Sequence, residues 1–482
     1  MDERYIATVD LGTGKIALTV ARILGENIDI LFYKEVPSAY VRHSQVVNPM
    51  RAAEPLKAVI KEAEEELGIK ILQVVIGLPR YSVRQEAAPA STQRSDPSSC
   101  ITREEVDIIK NMALETYPME DKENEDIYGA VTQSFETDDM INLPEEDVIG
   151  MTSNVLRGNF KIFVGAKRYI HNIDVMLNDA GVAPAKKIFL PDATANAVLS
   201  AEEKENGVAL IEMGAGVTSL AIYQGGLLRQ YSAIPFGGKV ITTDIKYICG
   251  FKESLAENLK MAFGACMPDR LQSMSEKIIQ VNYDEDGTCK QIGVKYMSEI
   301  ITCRVKEIVE AMLFKIEESG YADKLRNGIV LTGGVANLTG CANYIKELSG
   351  YNVRIGYPRC KYISSNEFPG IYETSAAASA GMLMLAKEDP YLNCTTEYVA
   401  PKPEEPVEEK PEAEAVPEPE MEDTVFNPAP AGADEKASAT TGKKKLKEPK
   451  VKKTAEPKIP QPVITWGTKL LDKVATLFDG ME

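Results

Sequence analysis

The sequence predicts an α/β protein of two duplicated halves closing over a cleft, followed by an extended linker and a terminal amphipathic helix. Three observations predict it. The stretch Tyr5–Ala21, YIATVDLGTGKIALTVA, superimposes without gaps on Gly207–Tyr223, GVALIEMGAGVTSLAIY. Beyond Lys387 the composition turns to proline and glutamate with few large apolar side chains. Residues 461–482 then space their apolar side chains by three or four, the period of one helix face.

The internal repeat sets Asp10 on Glu212, Gly12 on Gly214, Gly14 on Gly216 and Leu18 on Leu220. In the first copy Ile16, Leu18 and Val20 alternate with a period of two, and in the second Leu220 and Ile222 do the same. Both copies therefore read as strand, glycine turn, strand. A Rossmann turn or a P-loop would run from its glycines into a helix, and the G-x-x-x-x-G-K-[ST] pattern is absent. Glycine turns bring backbone N–H groups close to an anion. Two of them facing across a cleft can hold one polyphosphate, and an acid beside each, Asp10 and Glu212, can hold Mg²⁺ through waters. As a single feature each turn is an ordinary hairpin.

A third glycine site lies in GIVLTGGVANLTGCANYIKEL, where a short strand, Ile329 to Leu331, meets Gly333 and Gly334. Ala342, Ile345 and Leu348 then follow at helical spacing. Paired glycines there let a flat ring slide against backbone; taken alone, the motif is a strand-to-helix loop.

The chain has 482 residues, which at roughly 100–200 residues per domain predicts two to four domains. A net charge of −18 disfavours nucleic acid as a partner of the body. Its eight cysteines show no C-x-x-C spacing and only His43 and His171 accompany them, so no zinc pattern exists and reduced thiols are expected. The opening MDERYIATVDLGTGK has no basic region before an apolar run and is not read as a signal peptide. No stretch approaches the roughly 18 apolar residues of a spanning helix.

After the acidic segment PKPEEPVEEKPEAEAVPEPEMED comes a basic run, GKKKLKEPKVKK, and then the terminal helix. The acidic segment buries too little apolar surface to offset its chain entropy and is expected to be disordered. The helix carries Trp466, Leu470, Leu471, Val474, Leu477 and Phe478 on one stripe, with Val463 and Met481 at its ends. Lys469, Asp472, Lys473 and Thr476 fall opposite. Packing back on the body and docking in a partner's groove are alternatives. The long spacer and the preceding lysines favour anionic membrane lipid, and Trp466 stands where an interfacial anchor would.

These motifs resemble the actin, Hsp70 and hexokinase superfamily. VDLGTGK resembles its first phosphate loop, IEMGAGVTSLAIY its second and IVLTGGVANLTG its adenosine motif. FLPDATANAVLSA and YETSAAASAGMLML resemble the alanine-rich helices that connect its halves. AENLKMAFG, with Glu257 and Lys260, is similar to the helix that reaches the nucleoside in Hsp70-like members. Within the superfamily the chain resembles the bacterial cell-division family FtsA, through PFGGKVITTDIKYICG followed by SLAENLKMAFGACMPD, and through the segment Ile101 to Leu156. That segment resembles the subdomain 1C peculiar to the family, and the linker with its terminal helix completes the likeness.

The resemblance implies an actin-like fold: two duplicated RNase H-like domains around a nucleotide cleft, with a 1C insertion, a disordered linker and a C-terminal amphipathic helix. It places subdomain 1A at 1–80, 166–195 and 361–387, 1C at 81–165, 2A at 196–240 and 306–360, and 2B at 241–305. The linker is expected at 388–460 and the helix at 461–482. The implied cofactors are ATP and Mg²⁺, on Asp10, Gly12, Thr13, Gly14, Lys15, Glu212, Gly214, Ala215, Gly216, Thr218, Glu257, Lys260, Gly333 and Gly334. Lys15 would touch phosphate, Asp10 the metal and the last two glycines the adenosine. The implied partners are the C-terminal peptide of the tubulin-like protein FtsZ on Arg304 and Glu307, other copies in filaments, anionic lipid and later division proteins. By spacing alone, Arg304 and Glu307 are a helical ion pair.

Two departures stand out. The family's second loop begins with Asp where this chain has Glu212, and Ala215 and Val217 replace glycine- and threonine-rich positions. IGLPRYSV also lacks the Ser-Gly pair common at the entry to 1C. The expected function is a membrane-bound scaffold at the cytoplasmic face of the division site, at most a weak ATPase. The alternatives are a small-molecule kinase or a pilus-assembly platform ATPase of the same superfamily.

Overall fold

The computed structural model describes residues 4–38, 40–282, 289–359, 363–365 and 367–395. The basic run and the segment expected to form the terminal helix, with Trp466, Leu470, Leu471, Val474, Leu477 and Phe478, lie outside the described residues.

The first half opens as an antiparallel meander of β1 (Arg4–Leu11), β2 (Lys15–Leu24) and β3 (Asn27–Pro37). A short ribbon, β4 (Val41–Arg42) with β5 (Gln45–Val46), leads to α1 (Pro49–Leu67). This helix starts where Asn48 accepts the Arg51 N–H and Pro49 presets φ, and it stops at Gly68, whose φ of 66° continues no helix. The chain returns as β6 (Gln73–Gly77), parallel to β1, and later as β10 (Ala183–Ile188), parallel to β6. With β18 (Ile363–Ser364) on the far edge, the order is β10-β6-β1-β2-β3-β18.

The second half repeats this plan. β11 (Val208–Met213), β12 (Thr218–Gln224) and β13 (Leu227–Ile234) form the meander. β16 (Ile329–Thr332) runs parallel to β11, and β17 (Val353–Ile355) parallel to β16. The order β13-β12-β11-β16-β17 matches β3-β2-β1-β6-β10, so the duplication seen in the hairpins extends to both sheets. The central strands are buried on both faces, which is why they read as apolar runs.

Between the sheets lie two alanine-rich helices, α5 (Leu190–Val198) and α11 (Ala377–Lys387). They share one core with Val9 and Leu18 of the first sheet and Val208 and Leu210 of the second. Small side chains let them approach closely: a Cβ on Gly381 would fall 1.8 Å from the Ala193 carbonyl oxygen.

Each half carries an insertion. Between β6 and α4 (Lys167–Ala180) lies a separate sheet of order β7-β9-β8, from β7 (Arg84–Gln93), β8 (Glu125–Glu136) and β9 (Val155–Ala166). α2 (Arg103–Thr116), started by a Thr102–Glu105 capping box, covers it, and α3 (Glu145–Val148) follows β8. Ile101, Val106, Ile109, Phe135 and Phe160 give this unit its own core. Between β13 and β16 lie α7 (Gly238–Cys249), α8 (Glu253–Phe263), the hairpin β14 (Ile278–Asn282) with β15 (Cys289–Gly293), and α9 (Val294–Glu318). α6 (Ala201–Asn206) precedes β11, and α10 (Cys341–Ser349) joins β16 to β17.

The body runs beyond the boundary expected from composition. Leu392 and Cys394 are buried, and the Cys394 N–H donates to the Tyr5 carbonyl at 2.7 Å. The linker therefore begins later than residue 388. The added segment packs as irregular chain, and irregular chain has no periodicity to read.

Gly381→Ala tests the helix contact. Ala gains about 1 kcal/mol of helix propensity over Gly. Overpacking against a backbone carbonyl costs about 1–3 kcal/mol. Urea unfolding should show a net loss of stability.

Candidate functional site

The two glycine turns have the same construction. In the first, Leu11 pairs with Ile16 and the Gly12 N–H donates to the Lys15 carbonyl at 2.9 Å. In the second, Met213 pairs with Thr218 and the Gly214 N–H donates to the Val217 carbonyl at 2.9 Å. Both continue into strands, as the two-residue period predicts.

The turns meet across the cleft. A Cβ on Gly216 would lie 2.6 Å from the Thr13 side chain, and one on Gly14 would lie 3.0 Å from the Ala215 Cβ. Lys239 Nζ crosses from α7 and donates to the Thr13 carbonyl at 2.8 Å. The start of α7 holds the second turn from behind. Gly238 N–H donates to the Gly214 carbonyl at 2.9 Å and Lys239 N–H to the Ala215 carbonyl at 2.7 Å. Gly237 has to be glycine there, because a Cβ would sit 2.3 Å from the Gly214 oxygen.

The third glycine site adjoins the second turn because β16 lies beside β11. Gly333 has φ 88°, and a Cβ on it would strike the Met213 backbone at 2.5 Å. Thr374 clamps it, donating its hydroxyl to the Gly333 carbonyl at 2.9 Å and accepting the Gly333 N–H at its own carbonyl at 3.2 Å. A Cβ on Gly334 would meet no atom within 4 Å, so its backbone faces open space. Nearby, Lys260 Nζ donates to the Gly238 carbonyl at 2.9 Å, to Thr242 Oγ1 at 2.8 Å and to Glu257 Oε2 at 2.8 Å. Burial pushes the Lys260 ammonium pKa down, against the pull of Glu257.

Two predicted side chains are engaged elsewhere. Lys15 Nζ pairs with Glu35 and reaches Ser375 Oγ at 3.1 Å, while the Thr218 hydroxyl donates to the Phe236 carbonyl at 2.9 Å. The acids Asp10 and Glu212 do come together, but on Arg80, which the sequence reading did not single out. Arg80 Nη2 lies 2.9 Å from Glu212 Oε1, and Nη1 lies 3.8 Å from Asp10 Oδ1. The other Glu212 oxygen accepts from Thr194 Oγ1 at 2.9 Å. A divalent ion between the acids therefore does not fit this arrangement, because a guanidinium already stands there.

The turn joining β4 to β5 was also missed. His43 and Ser44 adopt φ of 48° and 64°, a costly pair for residues with side chains. The strained turn places Ser44 N–H on Thr13 Oγ1 at 3.1 Å and His43 Nδ1 at 2.9 Å from the Gly216 carbonyl. A carbonyl only accepts, so Nδ1 carries the proton. No glycine marks this turn, so no local pattern in the sequence signals it.

Arg304 and Glu307 lie away from the cleft on α9, 2.6 Å apart. Asp244 of α7, which the sequence reading did not name, takes the Arg304 fork at 2.6 and 2.9 Å. Asp244 and Arg304 pair across two helices, a contact invisible to spacing.

Two duplicated sheets with glycine hairpins abutting between them define an actin-like protein. Comparison with known proteins agrees. The family profile for cell division protein FtsA matches residues 209–381. The cell division protein FtsA of Borreliella burgdorferi is 30% identical over 360 residues, covering 74% of this chain and 86% of that protein. That of Neisseria meningitidis is 28% identical over 360 residues, covering 74% and 84%. That of Streptococcus pneumoniae is 27% identical over 430 residues, covering 84% and 92%. Among solved structures, a chain of the PilM–PilN type IV pilus biogenesis complex shares the fold with a TM-score of 0.55 at 16% identity, over 78% of this chain and 97% of that one. The chain belongs to the FtsA family of cell division proteins.

A pair of substitutions separates tight from open glycine positions. Gly237→Ala should lower stability by about 1–3 kcal/mol, as overpacking does. Gly334→Ala should change it by no more than about 0.5 kcal/mol, as at an unconstrained surface site. Urea midpoints of the full chain read both.

Proposed function

We propose that this protein is an actin-like scaffold of cell division that takes ATP between its halves, assembles into filaments on the cytoplasmic membrane and anchors FtsZ there. The observation that supports this most is the pair of matched glycine turns in contact across two duplicated halves, in a chain of the FtsA family. Backbone N–H groups of such turns suit phosphate. The bare face at Gly334, near the Lys260–Glu257 pair with its buried ammonium and part-exposed carboxylate, suits a flat adenine and its ribose. Asp10, Gly12, Thr13, Gly14, Lys15 and Glu212, Gly214, Ala215, Gly216 would line the phosphate end. Nucleotide bound there joins the halves and sets their angle, which is how it would control assembly.

In this reading 1–80, 166–195 and 361–387 form subdomain 1A, with 1C at 81–165, 2A at 196–240 and 306–360, and 2B at 241–305. Arg304 and Glu307 belong to the surface for the FtsZ peptide. The Arg304 fork is held by Asp244 and Glu307 stays 63% exposed, so the carboxylate is the freer of the two to meet a basic peptide group. Later division proteins and anionic lipid complete the set of partners.

No helix among the described residues is long and apolar enough to cross a membrane. Attachment is assigned to residues 461–482, whose single amphipathic helix binds reversibly and gains avidity when subunits polymerise.

Liposome pelleting of the full chain against a chain ending at Pro460 tests the attachment: the shortened chain should stay in the supernatant, and equal pelleting refutes it. Arg304→Glu should abolish binding of the FtsZ peptide and leave nucleotide affinity unchanged, both read by calorimetry.

A further inference from the structure

We infer that Arg80 is the resident cation of the cleft, so that the two halves close on a nucleoside polyphosphate without a divalent metal. The inference rests on the nucleotide reading above and concerns how the charge of that site is balanced.

Arg80 follows β6, the strand beside β1, and this adjacency brings it next to Asp10. Its side chain is 9% exposed, against 8% for Asp10 and 14% for Glu212. Both halves hold it. From the second, Tyr231 donates its hydroxyl to the Arg80 carbonyl at 2.5 Å. From the first, Gln45 Nε2 donates to the adjacent Tyr81 carbonyl at 3.2 Å.

Two buried carboxylates facing each other repel, and either a proton or a cation has to relieve them. A guanidinium does so with a planar fork that never loses its charge; here it pairs with Glu212 at 2.9 Å and stands 3.8 Å from Asp10, an electrostatic neighbour and not a hydrogen-bond partner. Burial works against that charge, but Glu212 and then Asp10 outweigh it and hold the Arg80 pKa above its ordinary value. Glu212 suits this role better than a shorter acid. Its extra methylene carries one oxygen to Arg80 while the other accepts from Thr194.

Within this cluster, two of the buried side-chain atoms that lack a hydrogen-bond partner among the described residues are Arg80 Nε and Asp10 Oδ1. The first is a donor in a cationic group, and the acceptor it suits is an anionic oxygen such as that of a phosphate. A free divalent ion would compete with Arg80 for the same two carboxylates and would have to expel it.

The test uses the full chain. Mn²⁺ binding to nucleotide-free protein is read by electron paramagnetic resonance, and ATP affinity by calorimetry in EDTA and in excess Mg²⁺. The unsubstituted protein should show no tight Mn²⁺ site, and its ATP affinity should change by less than about threefold between the two buffers. Arg80→Ala should gain an Mn²⁺ site, and its ATP affinity in EDTA should fall about tenfold or more, as loss of a charged hydrogen bond implies. Arg80→Lys keeps the charge and should gain no Mn²⁺ site, which guards against an Ala variant that does not fold.

Tight Mn²⁺ binding by the unsubstituted protein, a tenfold or larger gain of ATP affinity with Mg²⁺, or a folded Arg80→Ala protein that gains no Mn²⁺ would each overturn the role of Arg80. Failure to bind ATP in either buffer would instead overturn the nucleotide reading, and the Mn²⁺ measurements would still decide the role of Arg80.

Discussion

Thr13 packs against Gly216 and Gly14 against Ala215, so the two halves meet through their backbones at the ends of β1 and β11. This contact constrains much of the surrounding structure. Backbones approach so closely only where Cβ atoms are missing, which accounts for the glycines in both turns and for Gly237 behind the second. The sheets must present corresponding ends to each other, and the duplicated strand order does this. The strained His43–Ser44 turn then bridges the first turn to the second, so the β4–β5 ribbon belongs to the junction.

The charged groups of the junction come from both halves. Asp10 comes from the first meander, Glu212 from the second, and Arg80 from the loop that follows β6, the strand beside β1. Breaking a buried ionic set of this kind by removing one member usually costs about 3–5 kcal/mol, because the remaining charges lose their compensation. Lys260 is treated likewise: each of its donors has an acceptor, and one of these is the Gly238 carbonyl, whose own N–H holds the second turn. Arg304, on the outer surface, is partly solvated and its pairs contribute less.

The first-half insertion is an independent unit by its core but not by its contacts. Gln133 Nε2 donates to the Leu228 carbonyl at 3.0 Å, and the Tyr231 N–H donates to Gln85 Oε1 at 2.9 Å. Both tie the inserted sheet to β13, the edge strand of the second half. The insertion thereby covers an edge that would otherwise offer unpaired backbone groups. It also joins the halves a second time, through the strand whose Tyr231 holds the Arg80 carbonyl.

The sequence alone determined the features carried by local periodicity and by repetition: the paired glycine hairpins, the alanine-rich helices, the strand-to-helix motif at Gly333, and the amphipathic pattern of residues 461–482. These follow from neighbouring residues, and each leaves a period or a spacing. Tertiary structure decided the partners. Lys15 turned to Glu35 and Ser375, Thr218 spent its hydroxyl on Phe236, and Arg304 was taken by Asp244. Arg80 entered between two acids that are remote from it, and from each other, in the chain. Such pairings depend on which strand lies beside which, and on what burial leaves unsatisfied. A linear pattern records neither.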